Sequence, residues 1–208
     1  DSFFSKKEIQ KYENIPEKKI AVQYCAVDLA HYRNISDVAA LQKISEKYKL
    51  PQRYFLYVGN VKPHKNIVRL IKAYAHFYSK MKEKISLVIV GKKDGLLIGV
   101  PGLADTIENL GIKEQVVFTG FVDDLDLPGL YSMAELFLFP SLYEGFGIPP
   151  IEALACGAEL IVSTAACLPE VYGNSAHYID PHNYDVDLDE LLKEPVAPAS
   201  QVLDKYSW

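Results

Sequence analysis

Cysteine is scarce in this chain of 208 residues: Cys25, Cys156 and Cys167 are an odd set without Cys-x-x-Cys spacing. That excludes a disulfide framework and a zinc ribbon, and it fits buried thiols in a reducing cytoplasm. No apolar run approaches the roughly 20 residues of a membrane helix, and no signal peptide opens the sequence, so a soluble, cytoplasmic chain without a transmembrane segment is expected. Positive charge is the minority, 22 Lys and Arg against 27 Asp and Glu, with the signs interspersed and a net charge of −5. Nonspecific nucleic-acid binding needs a dense basic footprint, so no nucleic-acid partner is expected. Gly-x-Gly-x-x-Gly, a Ser-His-Asp set and a paired carboxylate acid and base are all lacking, which weakens dehydrogenase and hydrolase readings. His31, His64, His76, His177 and His182 show no ligand spacing with one another or with cysteine, so neither a metal nor a resident cofactor is expected.

What is present is an apolar fraction of 49%, enough to bury a proper core in one large or two small domains. Hydrophobic periodicity predicts strands over Tyr54–Gly59, Ser86–Gly91, Val116–Gly120, Leu136–Pro140, Leu160–Ser163 and Ala176–Ile179. Between them it predicts helices over Ile67–Tyr78, Ala104–Leu110, Leu127–Ala134 and Pro150–Cys156, and a short helical piece at Pro169–Tyr172. The strands are nearly all apolar, as required when helices cover both faces. The fold class is therefore α/β, a doubly wound, Rossmann-like parallel sheet, in which ligands bind outside the carboxyl ends of the strands.

Residues with chemistry do collect there. After the fourth strand, Ser141 to Gly157 reads as a loop with Gly145 and Gly147, then a helix opened by prolines. Its free N–H groups, from Gly145 through Phe146 and Gly147 to Ile148, make an anion site suited to phosphate. A carboxylate beside phosphate repels it unless aimed at hydroxyl groups, so Glu144 and Glu152 read as acceptors for sugar hydroxyls. After the first strand, Gly59-Asn60-Val61-Lys62-Pro63-His64-Lys65-Asn66 offers two lysines within reach of a diphosphate and Asn66 as a helix N-cap. After the third come Gly120, Phe121, Val122, Asp123 and Asp124, whose aspartates either meet a ligand or cap the helix beginning near Leu127.

Tyr-Glu-Gly-Phe-Gly-x-Pro and Glu-Ala-x-Ala-x-Gly, with glutamates eight positions apart at Glu144 and Glu152, resemble the Glu-x7-Glu signature of retaining GT-B glycosyltransferases, specifically glycosyltransferase family 4. The resemblance implies Glu144 by the donor sugar, Glu152 on the ribose, and a catalytic role for Lys65 with Glu144, Lys65 standing on the donor diphosphate. The loop departs from the pattern at Asn60, where many relatives carry arginine, leaving Lys62 as the second positive charge or none. The loop of Phe121, Val122 and Asp124 matches the place where relatives hold the base, and a carboxylate facing the paired N–H donors of guanine favours GDP-mannose over a UDP-sugar.

By the same resemblance, residues 1–35 are the remnant of an acceptor domain with its last helix and a linker strand at Lys19 to Val22, and residues 36–208 are the donor-binding domain. The chain would be the C-terminal half of a GT-B enzyme of polysaccharide biosynthesis, moving mannose from a nucleotide sugar to a glycan or lipid-linked acceptor. Alone it would be inactive, its partner an N-terminal acceptor domain through which peripheral membrane contact would come. Two alternatives stand beside it: a non-catalytic nucleotide-sugar binding module and a nucleotide-sugar epimerase.

Overall fold

The structure, a computed structural model, describes residues 1–60, 62–91, 100–183 and 185–208. Val61 of the loop after the first strand lies outside the described residues. Six strands, β1 (Tyr54–Val58), β2 (Ser86–Val90), β3 (Val116–Gly120), β4 (Leu136–Phe139), β5 (Glu159–Ser163) and β6 (His177–Ile179), form one sheet in the order β3-β2-β1-β4-β5-β6. Every neighbouring pair is parallel. This is the doubly wound arrangement expected, and chain direction across the sheet reverses between β1 and β4. Such a switch point opens a crevice at the carboxyl ends, because the connections on either side leave in opposite directions.

Helices α1 (Phe3–Glu13), α2 (Val38–Tyr48), α3 (Ile67–Lys80), α4 (Leu103–Asn109), α5 (Leu127–Met133), α6 (Ile148–Ala155), α7 (Leu168–Tyr172), α8 (Leu188–Leu191) and α9 (Ser200–Leu203) accompany the sheet. In α3 the buried residues Ile67, Leu70, Ile71, Tyr74 and Phe77 recur at helical spacing and pack on strands buried along nearly their whole length. Each such large side chain removed from water is worth about 1.5–3 kcal/mol, and the burial of β1, β2 and β4 joins both faces into one core.

Helix α2 was not anticipated. Asp37 caps it by accepting from the amides of Ala39 and Ala40, Ile44 is buried, and Ala40, Leu41 and Tyr48 on the same face are partly buried. It seats closely on α5 because Gly129 has no side chain: a Cβ there would stand 2.5 Å from Ile44 Cδ1. The linker strand expected over Lys19 to Val22 does not form. Glu17–Lys19 is a 3-10 turn, and residues 20–26 carry no strand. A strand needs a neighbour's ladder, and this segment meets one only at Val27, which bridges Ser207.

Helix α1 is fixed at its N-terminus by Glu170 of α7, which accepts from the amides of Phe3 (2.7 Å) and Phe4 (2.9 Å) and from the Tyr24 hydroxyl (2.8 Å). Burial pushes this carboxyl up, but the two amides, Tyr24 and the Lys205 charge outweigh it and hold it below its ordinary value.

Candidate active site

Two loops meet over the switch point. The 3-10 turn Pro63–Lys65 follows β1, and the loop 140–147 follows β4. The Leu142 amide donates to the His64 carbonyl at 2.7 Å, closing the loops on each other. Asn66 stands at the head of α3 with φ 60°, but its side chain is not the expected cap. Its amide donates instead to the carbonyls of Pro140 (3.0 Å) and Pro181 (2.8 Å), tying together the chain after β1, β4 and β6. A buried amide with two good acceptors gains more than one bond to a helix end would give.

Across this junction Lys65 Nζ pairs with Glu144 Oε1 at 2.7 Å, with side chains only 13% and 11% exposed. The ammonium also lies over the Phe139 ring, 5.1 Å from its centroid. Two residues picked out separately in the sequence thus form one half-buried ion pair. Lys62 and Asn60 are exposed, and Gly59 turns under the Tyr57 ring, whose hydroxyl a Cβ would strike at 2.6 Å.

The loop 140–147 is braced from the β5 and α7 side. Ser163 Oγ donates to the Ser141 carbonyl, the Cys167 thiol to the Glu144 carbonyl (3.2 Å), and the Tyr172 hydroxyl to the Gly147 carbonyl. Burial pushes the Cys167 and Cys156 thiols up to about 12, so both are neutral structural groups. Gly147 has φ +90°, and an added Cβ would lie 2.9 Å from Leu168 Cδ2. Among the described residues no acceptor meets the N–H groups of Gly145, Phe146 or Gly147. They precede the positive end of α6, where Ile148 is exposed while Phe146 and Gly147 are buried and Gly145 lies against Asp1 and Ser5. The Phe146 side chain is buried against Tyr24 and Tyr206, so this residue offers a ligand its backbone alone.

Glu152, in the second turn of α6, accepts from the Tyr131 hydroxyl at 2.9 Å. Burial pushes its carboxyl above the ordinary value, with Tyr131, Tyr32 and His31 pulling the other way and Asp124 adding to the rise. Tyr131, Tyr32 and His31 were missed in the sequence, since Tyr131 reaches Glu152 only through the fold and Tyr32 and His31 act on its charge from a distant segment. Aromatic residues in a helix and a connecting segment carry no local mark of such a bond.

The loop after β3 divides its two aspartates. Asp123 is engaged: its carboxylate meets Lys47 Nζ at 2.6 Å, as does that of Asp126, and its amide donates to the Tyr48 hydroxyl. The Lys47 ammonium and the Tyr48 hydroxyl hold Asp126 below the ordinary carboxylate value against its burial. Neither Asp123 nor Asp124 caps α5 with its side chain, a reading the sequence left open; Asp126 occupies the N-cap position. Asp124 lies on the other side, its carbonyl 3.0 Å from His31 Nε2 and its charge felt by Glu152 and Tyr32. Phe121 is 68% exposed beside it, while Val122 is buried, leaving a flat ring and backbone facing outward.

A doubly wound parallel α/β sheet that gathers the Lys65–Glu144 pair, the loop 140–147 and Glu152 at the carboxyl ends of its strands has the architecture in which ligands bind at the switch point. Residues 40–200 match the family model described as Glycosyl transferases group 1, and the chain belongs to that family. It is 35% identical over 181 residues to the serotype-specific mannosyltransferase WbdA of Escherichia coli, covering 85% of this chain and 22% of that protein. To the O-antigen chain mannosyltransferase B of Escherichia coli it is 35% identical over 193 residues, 92% of this chain and 49% of that one. The chain therefore spans half or less of these curated relatives. The crystal structure of Anabaena HepE in complex with UDP and glucose superposes with a TM-score of 0.80 at 19% identity, covering 99% of this chain and 57% of that one, a likeness of fold.

Proposed function

We propose that this chain is the donor-binding domain of a retaining GT-B glycosyltransferase that moves mannose from GDP-mannose to a glycan or lipid-linked acceptor. The observation that carries the reading is the largely buried Lys65–Glu144 pair beside the amides of Gly145 to Gly147, which meet no acceptor among the described residues. Holding two charges largely out of water is costly unless further hydrogen bonds or charges satisfy them, and an anionic ligand would supply such a partner to Lys65. A diphosphate arriving at the amides would take Lys65 as its counter-charge and release Glu144 toward the hydroxyls of the transferred sugar. Lys65 and the amides would then stabilise the negative charge that grows on the leaving diphosphate, the term on which phosphate-leaving chemistry chiefly depends. Glu152, on the next helix, would receive the ribose hydroxyls, and Phe121 with Asp124 the base.

Mannose is supported by the relatives, whose names describe mannosyltransferases, and a nucleotide sugar by the UDP and glucose bound to HepE. Transfer itself would need a facing acceptor domain to exclude water and place the acceptor, so this chain alone should show at most slow donor hydrolysis. Calorimetry with GDP on wild type, Lys65→Ala and Glu152→Ala tests the assignment. Each substitution should weaken binding by about 1.5–3 kcal/mol, the worth of a charged hydrogen bond. Unchanged affinity in both removes it.

A further inference from the structure

Glu152 would be of little use to a ribose if its carboxylate were free to turn, and the fold restrains it from one direction. Tyr131, on α5, is wholly buried, its ring edge-on to Phe137 of β4 (5.5 Å, 64°) and to Tyr32 (6.2 Å, 63°). A ring so enclosed holds its rotamer, and its hydroxyl, the single polar atom it carries, is spent on Glu152 Oε2. A carboxylate accepts on both oxygens, so a bond fixed on Oε2 leaves Oε1 set in one orientation. Tyr131 is wholly buried and presents no surface of its own to solvent.

We infer that Tyr131 is a positioning residue that aims the Glu152 carboxylate at the ribose diol of the nucleotide. The inference rests on the donor-site reading above. It differs from a packing role in one respect: its effect on binding must pass through the ribose hydroxyls. A Tyr131→Phe chain keeps the ring and loses only the donor.

The experiment measures dissociation constants of GDP and 2′,3′-dideoxy-GDP for wild type, Tyr131→Phe, Glu152→Ala and the double variant, with the corresponding uridine nucleotides in parallel so that base preference does not decide the result. Tyr131→Phe should weaken the ribonucleotide about fivefold to tenfold, as a misaimed charged hydrogen bond does, and leave the dideoxy nucleotide within about twofold. In the Glu152→Ala background the same substitution should add nothing, because the group it aims is gone. Equal weakening of both nucleotides, or further weakening in the double variant, overturns the inference in favour of packing alone. No weakening by Tyr131→Phe while Glu152→Ala costs affinity overturns it and leaves the donor site standing. Indifference to Glu152→Ala overturns both.

Discussion

Strands β1 and β4 carry an ion pair at each end, and the two ends are built differently. At the amino end Arg53, just before β1, bonds to Glu135, just before β4, with its Nη2 2.9 Å from Oε2, and also to Glu83. That guanidinium is 44% exposed, Glu83 77% and Glu135 31%. At the carboxyl end Lys65 and Glu144 span the same two strands at 13% and 11% exposure, beside amides that have no acceptor among the described residues. Water reaches the first set, so its charges are screened and it holds the chain ends together weakly. The second is largely withdrawn from water and next to unfilled donors, which suits it to a charged ligand. The two ends of one sheet thus separate an exposed brace from the candidate site.

Lys65→Ala should break the comparison most sharply. It should weaken GDP binding by roughly 10- to 150-fold and lower stability by leaving Glu144 half-buried without a partner. Arg53→Ala should leave binding alone and cost about 1 kcal/mol or less, as exposed ion pairs do; denaturant titration and calorimetry on both variants measure each quantity. If Arg53→Ala reduced affinity as much as Lys65→Ala, the distinction between the two ends would be wrong.

Gly147→Ala comes next. The left-handed backbone and the 2.9 Å approach to Leu168 both oppose a side chain, so a loss of about 1–3 kcal/mol in stability is expected from chemical denaturation. Binding should weaken with it as the amide cradle shifts. An alanine variant of wild-type stability would mean that the loop relaxes freely and that its geometry is not what holds the amides open.

A smaller effect separates the site from the contact that pins α1. The folded Glu170 carboxyl is held below its ordinary 4.5, so the stability it adds is present above that pH and is lost as pH falls through the lowered folded value. The difference in stability between wild type and Glu170→Gln should therefore be visible near neutral pH and shrink below about pH 4.5, with GDP affinity at neutral pH little changed. A difference that grew on acidification would reverse the assigned sign.

The smallest expected effect concerns the base. With Asp123 occupied by Lys47, Asp124 is the aspartate left to meet a guanine edge. GDP should outcompete UDP by a few-fold, about 1 kcal/mol, and Asp124→Asn should reduce the margin while Asp123→Asn does not. Equal affinity of the two nucleotides in wild type would remove the guanine preference and leave the diphosphate and ribose assignments intact.

How far the sequence carried these conclusions depended on the range of the interaction. The six strands were legible because each is a short apolar run ended by turn residues, and the loop and helix at Gly145 to Ala155 because glycines and prolines mark them locally. Helix α2 was missed although Ala40, Leu41, Ile44 and Tyr48 make a stripe at helical spacing behind the Asp37 cap; only its close seat on Gly129, a contact between distant segments, was hidden. The expected strand at Lys19 to Val22 had strand-forming residues but no neighbour to bond with. At the site, Lys65, Glu144 and Glu152 stood out by residue type and position, and their roles came from the family resemblance. Their partners were hidden: nothing local says that Tyr131 donates to Glu152, that Lys47 removes Asp123 from the site, or that Asn66 ties loops instead of capping a helix. Residue type and spacing report which groups are available, and only the assembled fold decides which of them are already satisfied.

The central claim is that the carboxyl end of the β1–β4 pair, and not the amino end, receives a nucleoside diphosphate. Amide chemical-shift perturbation on titration with GDP addresses it directly. The shifts should be largest at Gly145, Phe146, Gly147, Ile148 and Lys65, should extend to Glu152 and Asp124, and should be absent at Arg53, Glu83 and Glu135. Shifts centred on the amino end, or none at saturating GDP, would contradict the account.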